Sequence, residues 1–215
     1  MTENQPSRHG LYGLAAVMLV LILYVTYHAA FSPMAVLRKA AKQGDAEAQA
    51  RLGRCYMEGD GVWRDYVKAI KWLRMAADEG NIDAQNQLGL YYVSDSKPQD
   101  IDEAMKWFRM AADQGDISGQ YHVGFCYFGC DPPNHAEAIK WLRMAAEQGH
   151  VEAQYLLGIC YRDRKPPDYD EAAKWLRKAV DQGQPYAQAF LDTVTVRMQQ
   201  QHNAAEQKDE SAEIP

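Results

Sequence analysis

The chain has 215 residues, of which 47% are hydrophobic and 24% are charged, and its formal net charge is -6. This composition is typical of a globular protein long enough to bury a sizeable core. The acidic balance argues against a nucleic-acid binder, which needs a basic surface to displace counterions. Four cysteines are too few and too irregularly spaced for a small disulfide framework.

An uncharged stretch of 21 residues, Leu11–Phe31, follows an N-terminal tail at residues 1–10. At about 1.5 Å per helical residue the stretch is long enough to cross a bilayer, so we predict one transmembrane anchor at 11–31. The alternative is a cleavable signal peptide, which has a basic start, a shorter apolar core and small residues before the cut. Here His28 would stand third before the cut, which favours the uncleaved anchor.

The charges that flank the anchor leave open on which side of the membrane the following domain lies. Arg38, Lys39 and Lys42 follow the span and Arg8 precedes it. By the positive-inside rule this asymmetry favours a cytoplasmic domain. Against that, a short N-terminal tail commonly stays inside, and the three basic residues belong to the folded domain.

One pattern returns every 34–36 residues through most of the remaining chain. Its markers are a glycine, a tryptophan, a small residue followed by glutamine, and a second glycine with tyrosine three residues later. The first glycines are Gly44, Gly80, Gly115, Gly149 and Gly183, and the tryptophans are Trp72, Trp107, Trp141 and Trp175. A period of roughly 20–50 residues indicates a repeat architecture, in which each unit completes the core of its neighbour.

Each unit predicts two helices, A and B, that are joined by a loop. In the first unit helix A is predicted near Ala46–Met57 and helix B near Tyr66–Asp78, each with small or apolar residues along one face. A good N-cap residue precedes every helix B, at Asp65, Asp100, Asn134 and Asp168. In three units a glutamate stands three residues later, as in a capping box, at Glu103, Glu137 and Glu171.

The first unit, AAKQGDAEAQARLGRCYMEGDGVWRDYVKAIKWL, resembles the Sel1-like repeat, a relative of the tetratricopeptide repeat. The resemblance covers roughly residues 36–192. It implies an all-α fold, an α-solenoid of stacked antiparallel helix pairs behind the transmembrane helix. About four full repeats and capping helices would occupy residues 33–200, with residues 185–201 as a closing helix A. The polar, acidic residues 201–215 predict a disordered tail.

The sequence lacks the motifs G-x-S-x-G, H-E-x-x-H and C-x-x-C and the P-loop, so we expect neither an enzyme nor a cofactor. His122, Cys126 and Cys130 are spaced by four residues and, with His135, are candidate ligands for a soft metal. Packing is the favoured interpretation, because cysteine recurs at the repeat position of Cys126 in the first and fourth units. We therefore predict no metal site.

Side chains that the repeat pattern leaves free on helix A are the candidates for protein binding. In the third and fourth units these positions are largely aromatic or aliphatic, the composition of a binding hot spot. The candidate residues are Tyr121, His122, Phe125, Tyr155, Leu156 and Ile159. The alternative is that they only seal the helix pairs against one another, since burial is the commoner fate of such side chains.

The resemblance and the anchor together predict a membrane-anchored scaffold or adaptor that binds a protein or peptide on the concave face of its repeat array. The expected location is the bacterial inner membrane, which the chain would cross once. No nucleic-acid partner is expected. An immunity or inhibitor protein that binds one toxin or enzyme is the alternative, since some family members fill that role. A hydrolase of penicillin-type compounds, a class to which the family has been linked, is the third.

Overall fold

The computed structural model describes residues 17–19, 21–22, 32–94 and 100–212. The predicted tail at 1–10 and most of the predicted anchor at 11–31 lie outside the described residues. Residues 17–19 and 21–22 of the predicted anchor are helical and exposed. Across the described ranges, no helix combines the length and the apolar character that crossing a bilayer requires.

The chain divides between residues 81 and 82 into two compact parts, which are called the first unit and the second unit and are each larger than one repeat. The first unit holds α1 (Pro33–Lys42), α2 (Ala46–Glu58) and α3 (Tyr66–Asp78). α2 packs against both α1 and α3. Ala41, Ala48 and Leu52 form the core between α1 and α2, and Trp72 of α3 packs against it. α2 and α3 are therefore helices A and B of one repeat, and their bounds match the predicted ones within one residue.

The second unit continues the alternation of helices A and B through three more repeats and a closing helix. Its helices are α4 (Ile82–Val93), α5 (Ile101–Asp113), α6 (Ile117–Phe128), α7 (His135–Glu147), α8 (Val151–Asp163), α9 (Tyr169–Asp181) and α10 (Ala187–Ala212). Each helix packs against the next, and the helices A touch as well, α6 with α8 and α8 with α10. The described fold is an all-α array of helix pairs, as the repeat pattern predicts.

The residues that begin and end helix B act as the sequence indicates. All four predicted N-cap side chains accept a hydrogen bond from the backbone N–H three residues later: Asp65, Asp100, Asn134 and Asp168. The glycines that follow helix B have φ angles of 81–92°, at Gly44, Gly80, Gly115, Gly149 and Gly183. Glycine adopts this left-handed conformation at low cost, so the chain turns sharply into the next helix A.

The glutamates near the start of helix B have a role that the capping pattern did not predict. Glu103 and Glu171 accept hydrogen bonds from the indole N–H groups of Trp107 and Trp175, over 3.1 and 3.0 Å. Both tryptophans are buried. Each glutamate therefore satisfies a polar group that the packed ring carries into the core.

Glycine inside helix A lets helix B approach closely. A Cβ atom on Gly124 would lie 2.6 Å from Cγ of Leu142 and 3.0 Å from the backbone nitrogen of the same residue. Real Cβ contacts are longer, so only glycine fits where α6 and α7 meet. The equivalent Gly158 stands in the same relation to Leu176, with Cγ 2.6 Å from the added atom.

The closing helix is longer than predicted. We predicted it to end near residue 201 and residues 201–215 to be disordered, whereas α10 continues to Ala212. Ala187 and Val194 are fully buried near its start, and the residues from 199 to 201 are exposed. The sequence from 201 to 212 contains neither glycine nor proline and includes alanine, glutamine and glutamate, which have a high helix propensity.

Candidate protein-binding surface

Three of the six predicted residues come together on α6 in a cluster of aromatic rings. The Tyr121 ring stacks on the imidazole of His150, with centroids 4.6 Å apart and planes at 18°. The His122 ring stacks on Phe108 of α5 at 4.5 Å and 23°. The Phe125 ring lies 6.1 Å from Tyr121. We call these five residues the aromatic cluster, and they join α5, α6 and the start of α8.

The aromatic cluster has a buried floor and an exposed edge. Phe108 is almost fully buried, whereas the Phe125 residue is 48% exposed. Leu90, at the same repeat position on α4, is 41% exposed. The second unit thus presents two large apolar side chains to solvent at equivalent positions of successive repeats. Exposed apolar groups held on rigid helices are typical of binding surfaces.

Burial keeps both imidazoles of the cluster neutral near pH 7. It lowers the pKa of His122 to about 4, and the neighbouring His150 adds to the effect, while Asp116 opposes it. Burial also lowers the pKa of His150, against the carboxylates of Glu152 and Asp116. Because neither ring carries a charge, both behave as flat, largely apolar packing groups at this pH.

His150 is also the N-cap residue of α8. Its Nδ1 accepts a hydrogen bond from the backbone N–H of Ala153 over 3.2 Å. A nitrogen that accepts a hydrogen bond carries no proton. The nearby Glu152 oxygen, 3.4 Å from the same Nδ1, is therefore a contact and not an ion pair while the cap is formed. Protonation of Nδ1 would remove the cap.

The three candidates from the fourth repeat do not form one exposed surface. Leu156 and Ile159 are buried in the core of the second unit. Their side chains pack between neighbouring helices, as the packing alternative describes, and their binding of a partner stays a prediction. Tyr155 is half-buried and meets Phe190 of α10 edge-on, with centroids 5.5 Å apart. Burial raises the pKa of Tyr155.

Sequence reasoning missed Phe108 and His150 as members of the cluster. Phe108 sits beside the repeated tryptophan and looks like an ordinary core residue. His150 does carry a signal, because helix A of the first and third repeats has aspartate at this N-cap position, Asp45 and Asp116. Histidine ranks below aspartate as a cap, so its presence there indicates a second role for the ring.

The four residues considered as metal ligands lie in contact with aromatic rings or backbone groups, or are buried in the core. Burial raises the pKa of the Cys126 thiol to about 11. The Cys130 thiol lies 3.2 Å from the carbonyl oxygen of Cys126 and donates a hydrogen bond to it. The His122 ring stacks on Phe108, and the ring of His135 lies 6.3 Å from that of Phe128. Among the residues with described positions, no three histidine, cysteine or acidic side chains are grouped to hold a metal ion.

The paired helices define an α-helical repeat protein. The Sel1 repeat pattern matches residues 46–81, 82–116, 117–150 and 151–184, which together exceed half of the chain. The chain belongs to the Sel1 repeat family, as the resemblance predicted. Sel1 repeat proteins mediate protein–protein interaction and are generally non-enzymatic.

Two solved structures share this fold at more than 30% identity. A protective antigen of uropathogenic Escherichia coli strains with an SLR fold is 32% identical, over 75% of this chain and 36% of its own, with a TM-score of 0.66. A Sel1 repeat protein from Oxalobacter formigenes is 33% identical, over 72% of this chain and 64% of its own, with a TM-score of 0.61. This chain therefore spans less than two thirds of either relative.

An immunity protein from Pseudomonas aeruginosa is more distant. It is 22% identical over 76% of this chain and 65% of its own, with a TM-score of 0.44. At this distance the likeness carries no argument about function.

Proposed function

We propose that this chain is a membrane-anchored adaptor that captures a protein partner through its second unit. The single observation that carries the binding role is the exposed Phe125 ring at the edge of the aromatic cluster. The interaction role of the family supports it. The anchor is the uncharged segment 11–31, and the expected location is a bacterial inner membrane.

The aromatic cluster suits a binding role because its rings are already held in place. Tyr121 is fixed by its stack on His150, and Phe125 lies against Tyr121. When a partner packs on Phe125 and Leu90, the side chains of this chain lose little conformational freedom, which favours affinity. Residues 82–215 hold 21 acidic and 13 basic side chains, so a partner segment with apolar anchors and positive charge fits best.

Site-specific photocrosslinking in cells tests the surface. A photoreactive phenylalanine analogue at position 125 is expected to capture one discrete protein. The same analogue at Tyr186, an exposed aromatic position of the same unit outside the cluster, is the matched control. Equal capture at both positions would contradict the proposed surface.

The captured protein, once purified, gives the quantitative test with the full chain. Phe125→Ala and Leu90→Ala are each expected to weaken binding about tenfold or more, the loss typical of a hot-spot residue. Tyr186→Ala should leave the affinity unchanged. The identity of the partner then separates an adaptor from an inhibitor of one toxin. An unchanged affinity in Phe125→Ala would reject the surface.

Extraction and thiol labelling test the anchor and its orientation. Alkaline carbonate should leave the chain in the membrane, and its release would contradict the anchor. Cys130 is partly exposed, whereas Cys126 and Cys160 are buried with thiol pKa values raised to about 11 and 12. In a Cys55→Ser background, a membrane-impermeant maleimide that labels Cys130 before lysis puts the repeats outside. Labelling only after lysis puts them in the cytoplasm.

A further inference from the structure

The loop between α2 and α3 carries a tryptophan that nothing in the described first unit covers. Trp63 is 95% exposed, and Val67, four residues later, is 82% exposed. Tyr66 between them is exposed as well. A tryptophan ring is among the largest apolar surfaces that a side chain offers. Its exposure therefore indicates a site of contact with another protein or with a membrane. We call residues 59–67, which comprise this loop and the first two residues of α3, the Trp63 loop.

The Trp63 loop lies against the first turn of α1. A Cβ atom on Gly61 would stand 3.1 Å from Cε of Met34. Met34 is the second residue of α1 and follows the end of the proposed anchor by three residues. Trp63 is two residues from Gly61, so the two Cα atoms are at most about 7 Å apart. The exposed indole is therefore close to the point where the chain would leave the bilayer.

Basic side chains lie near this point around Trp63, whereas Asp45, Glu47 and Asp60 line a second hollow beside Met34. Arg38, Trp63, Arg64 and Lys68 line one open hollow of about 670 Å³. Lys68 is engaged with Asp65, whose oxygen lies 2.6 Å from its Nζ. Arg38 and Arg64 are exposed, and neither pairs with a carboxylate in the part of the chain that the structure describes.

The charge of the first unit differs in sign from that of the second. Residues 33–81 hold nine basic and seven acidic side chains, whereas residues 82–215 hold 13 basic and 21 acidic ones. α1 has three basic residues and no acidic residue. An anionic surface would therefore attract the part of the chain next to the anchor and repel the rest.

We propose that the Trp63 loop inserts into the headgroup layer of an anionic membrane beside the anchor, with Trp63 and Val67 at the apolar boundary and Arg38 and Arg64 on lipid phosphates. Tryptophan concentrates at this boundary in membrane proteins, and basic side chains close to it bind anionic lipid. The proposal rests on the anchor under the proposed function. It adds a second, peripheral contact that fixes the first unit at the membrane surface.

Tryptophan quenching in lipid nanodiscs tests the contact with the full chain. The chain contains five tryptophans, so the signal of Trp63 is the difference between the wild type and Trp63→Phe. The nanodiscs contain anionic lipid and carry a spin label on the lipid headgroups. In these nanodiscs the wild type should lose more tryptophan emission than Trp63→Phe. Equal quenching of both proteins would overturn the proposal.

The charged part is tested by Arg38→Gln with Arg64→Gln. The extra quenching of Trp63 should rise with anionic lipid in the wild type and become independent of it in the double variant. Arg177→Gln with Arg197→Gln removes two exposed arginines of the second unit and should preserve the dependence. A loss of the dependence in both double variants would reject specific roles for Arg38 and Arg64.

The two proposals fail in distinguishable ways. Release of the chain by carbonate would contradict both the proposed anchor and the loop contact that rests on it. A chain that stays in the membrane, with Trp63 quenched by aqueous acrylamide and not by the lipid label, would overturn the loop proposal alone. That result would show that the Trp63 loop faces water and not lipid.

Discussion

The side chain of Gln148 donates a hydrogen bond from Nε2 to Oε1 of Gln120 over 2.9 Å. The same bond closes the second repeat, from Gln114 to Gln85, and the fourth, from Gln182 to Gln154. In each case a glutamine that caps the end of helix B reaches a buried glutamine near the start of helix A. We call this bond the glutamine clasp.

The first repeat lacks the clasp because its helix B ends in Glu79, whose carboxylate side chain has no N–H to donate. The Oε1 atom of Gln49 is buried there without a hydrogen-bond partner in the described structure. Glu79→Gln supplies the donor and should stabilise the first unit by about 1 kcal/mol. The gain in unfolding free energy is measured by urea unfolding, with hydrogen exchange of the α2 amides as the probe.

Glu79→Ala is the matched control for this prediction. It also removes the unfavourable negative charge at the C-terminus of α3, but it provides no donor. Its gain should therefore be clearly smaller than that of Glu79→Gln. Equal gains would mean that the charge, and not the missing hydrogen bond, is what destabilises this repeat.

The bond between Glu171 and the indole of Trp175 gives a second prediction. Glu171→Ala leaves the buried indole N–H without its acceptor and should cost about 1–2 kcal/mol of unfolding free energy. Glu137→Ala is the control, because the equivalent indole nitrogen of Trp141 has no partner in the described structure even with Glu137 present. Chemical unfolding of the two variants decides, and an equal loss would contradict the role of the bond.

Gly124 and Gly129 separate helix packing from the general effect of adding a methyl group. Gly124→Ala places a Cβ 2.6 Å from Leu142 and should destabilise by about 1–3 kcal/mol, more than the helix-propensity gain of about 1 kcal/mol. At Gly129 the nearest atom would be the Phe125 carbonyl oxygen at 3.5 Å, an ordinary contact. Thermal unfolding should therefore show a lower Tm for Gly124→Ala and little change for Gly129→Ala.

His122 makes stability depend on pH. Its pKa is about 4 in the folded protein and 6.5 as the reference value, so below pH 6.5 the unfolded chain binds a proton that the folded chain does not. Stability should fall as the pH decreases from 6.5 to 4, by up to about 3 kcal/mol. His122→Phe retains a ring against Phe108 and should flatten this dependence, measured as the urea midpoint at several pH values.

The second imidazole of the cluster needs its own control in that experiment. His150→Asn preserves an N-cap residue for α8 and removes the titration of His150, together with its stack on Tyr121. The remaining pH dependence then belongs largely to His122. A dependence that is as steep in His122→Phe as in the wild type would contradict the assignment.

The sequence predicted the fold well because its strongest signals are local. An aspartate or asparagine at an N-cap and a glycine after helix B depend on a few neighbouring backbone atoms, and the bounds of α3 follow from them. The continuation of α10 to Ala212 was missed because helix propensity without an apolar face gives no periodic signal. There the absence of periodicity was mistaken for the absence of a helix.

The candidate surface was predicted only in part because it depends on contacts between helices. The repeat pattern identified Tyr121 and Phe125 as free positions, yet it could not distinguish Phe125, which is exposed, from Ile159 at the same repeat position, which is buried. That difference arises from the neighbouring helices, among them α10, which packs next to α8. A single repeat considered alone does not contain this information.

The glutamine clasp also determines how this protein could change its length. In the second, third and fourth repeats both partners of the clasp lie inside the same repeat, so a tandem duplication of residues 117–150 would bring its own donor and acceptor. Such an insertion adds one complete glutamine clasp, in which the oxygen of the buried glutamine has its donor. A duplicate of residues 46–81 would instead carry a second unmatched oxygen into the interior. Growth by whole repeats is therefore open to the second, third and fourth repeats and unfavourable at the first.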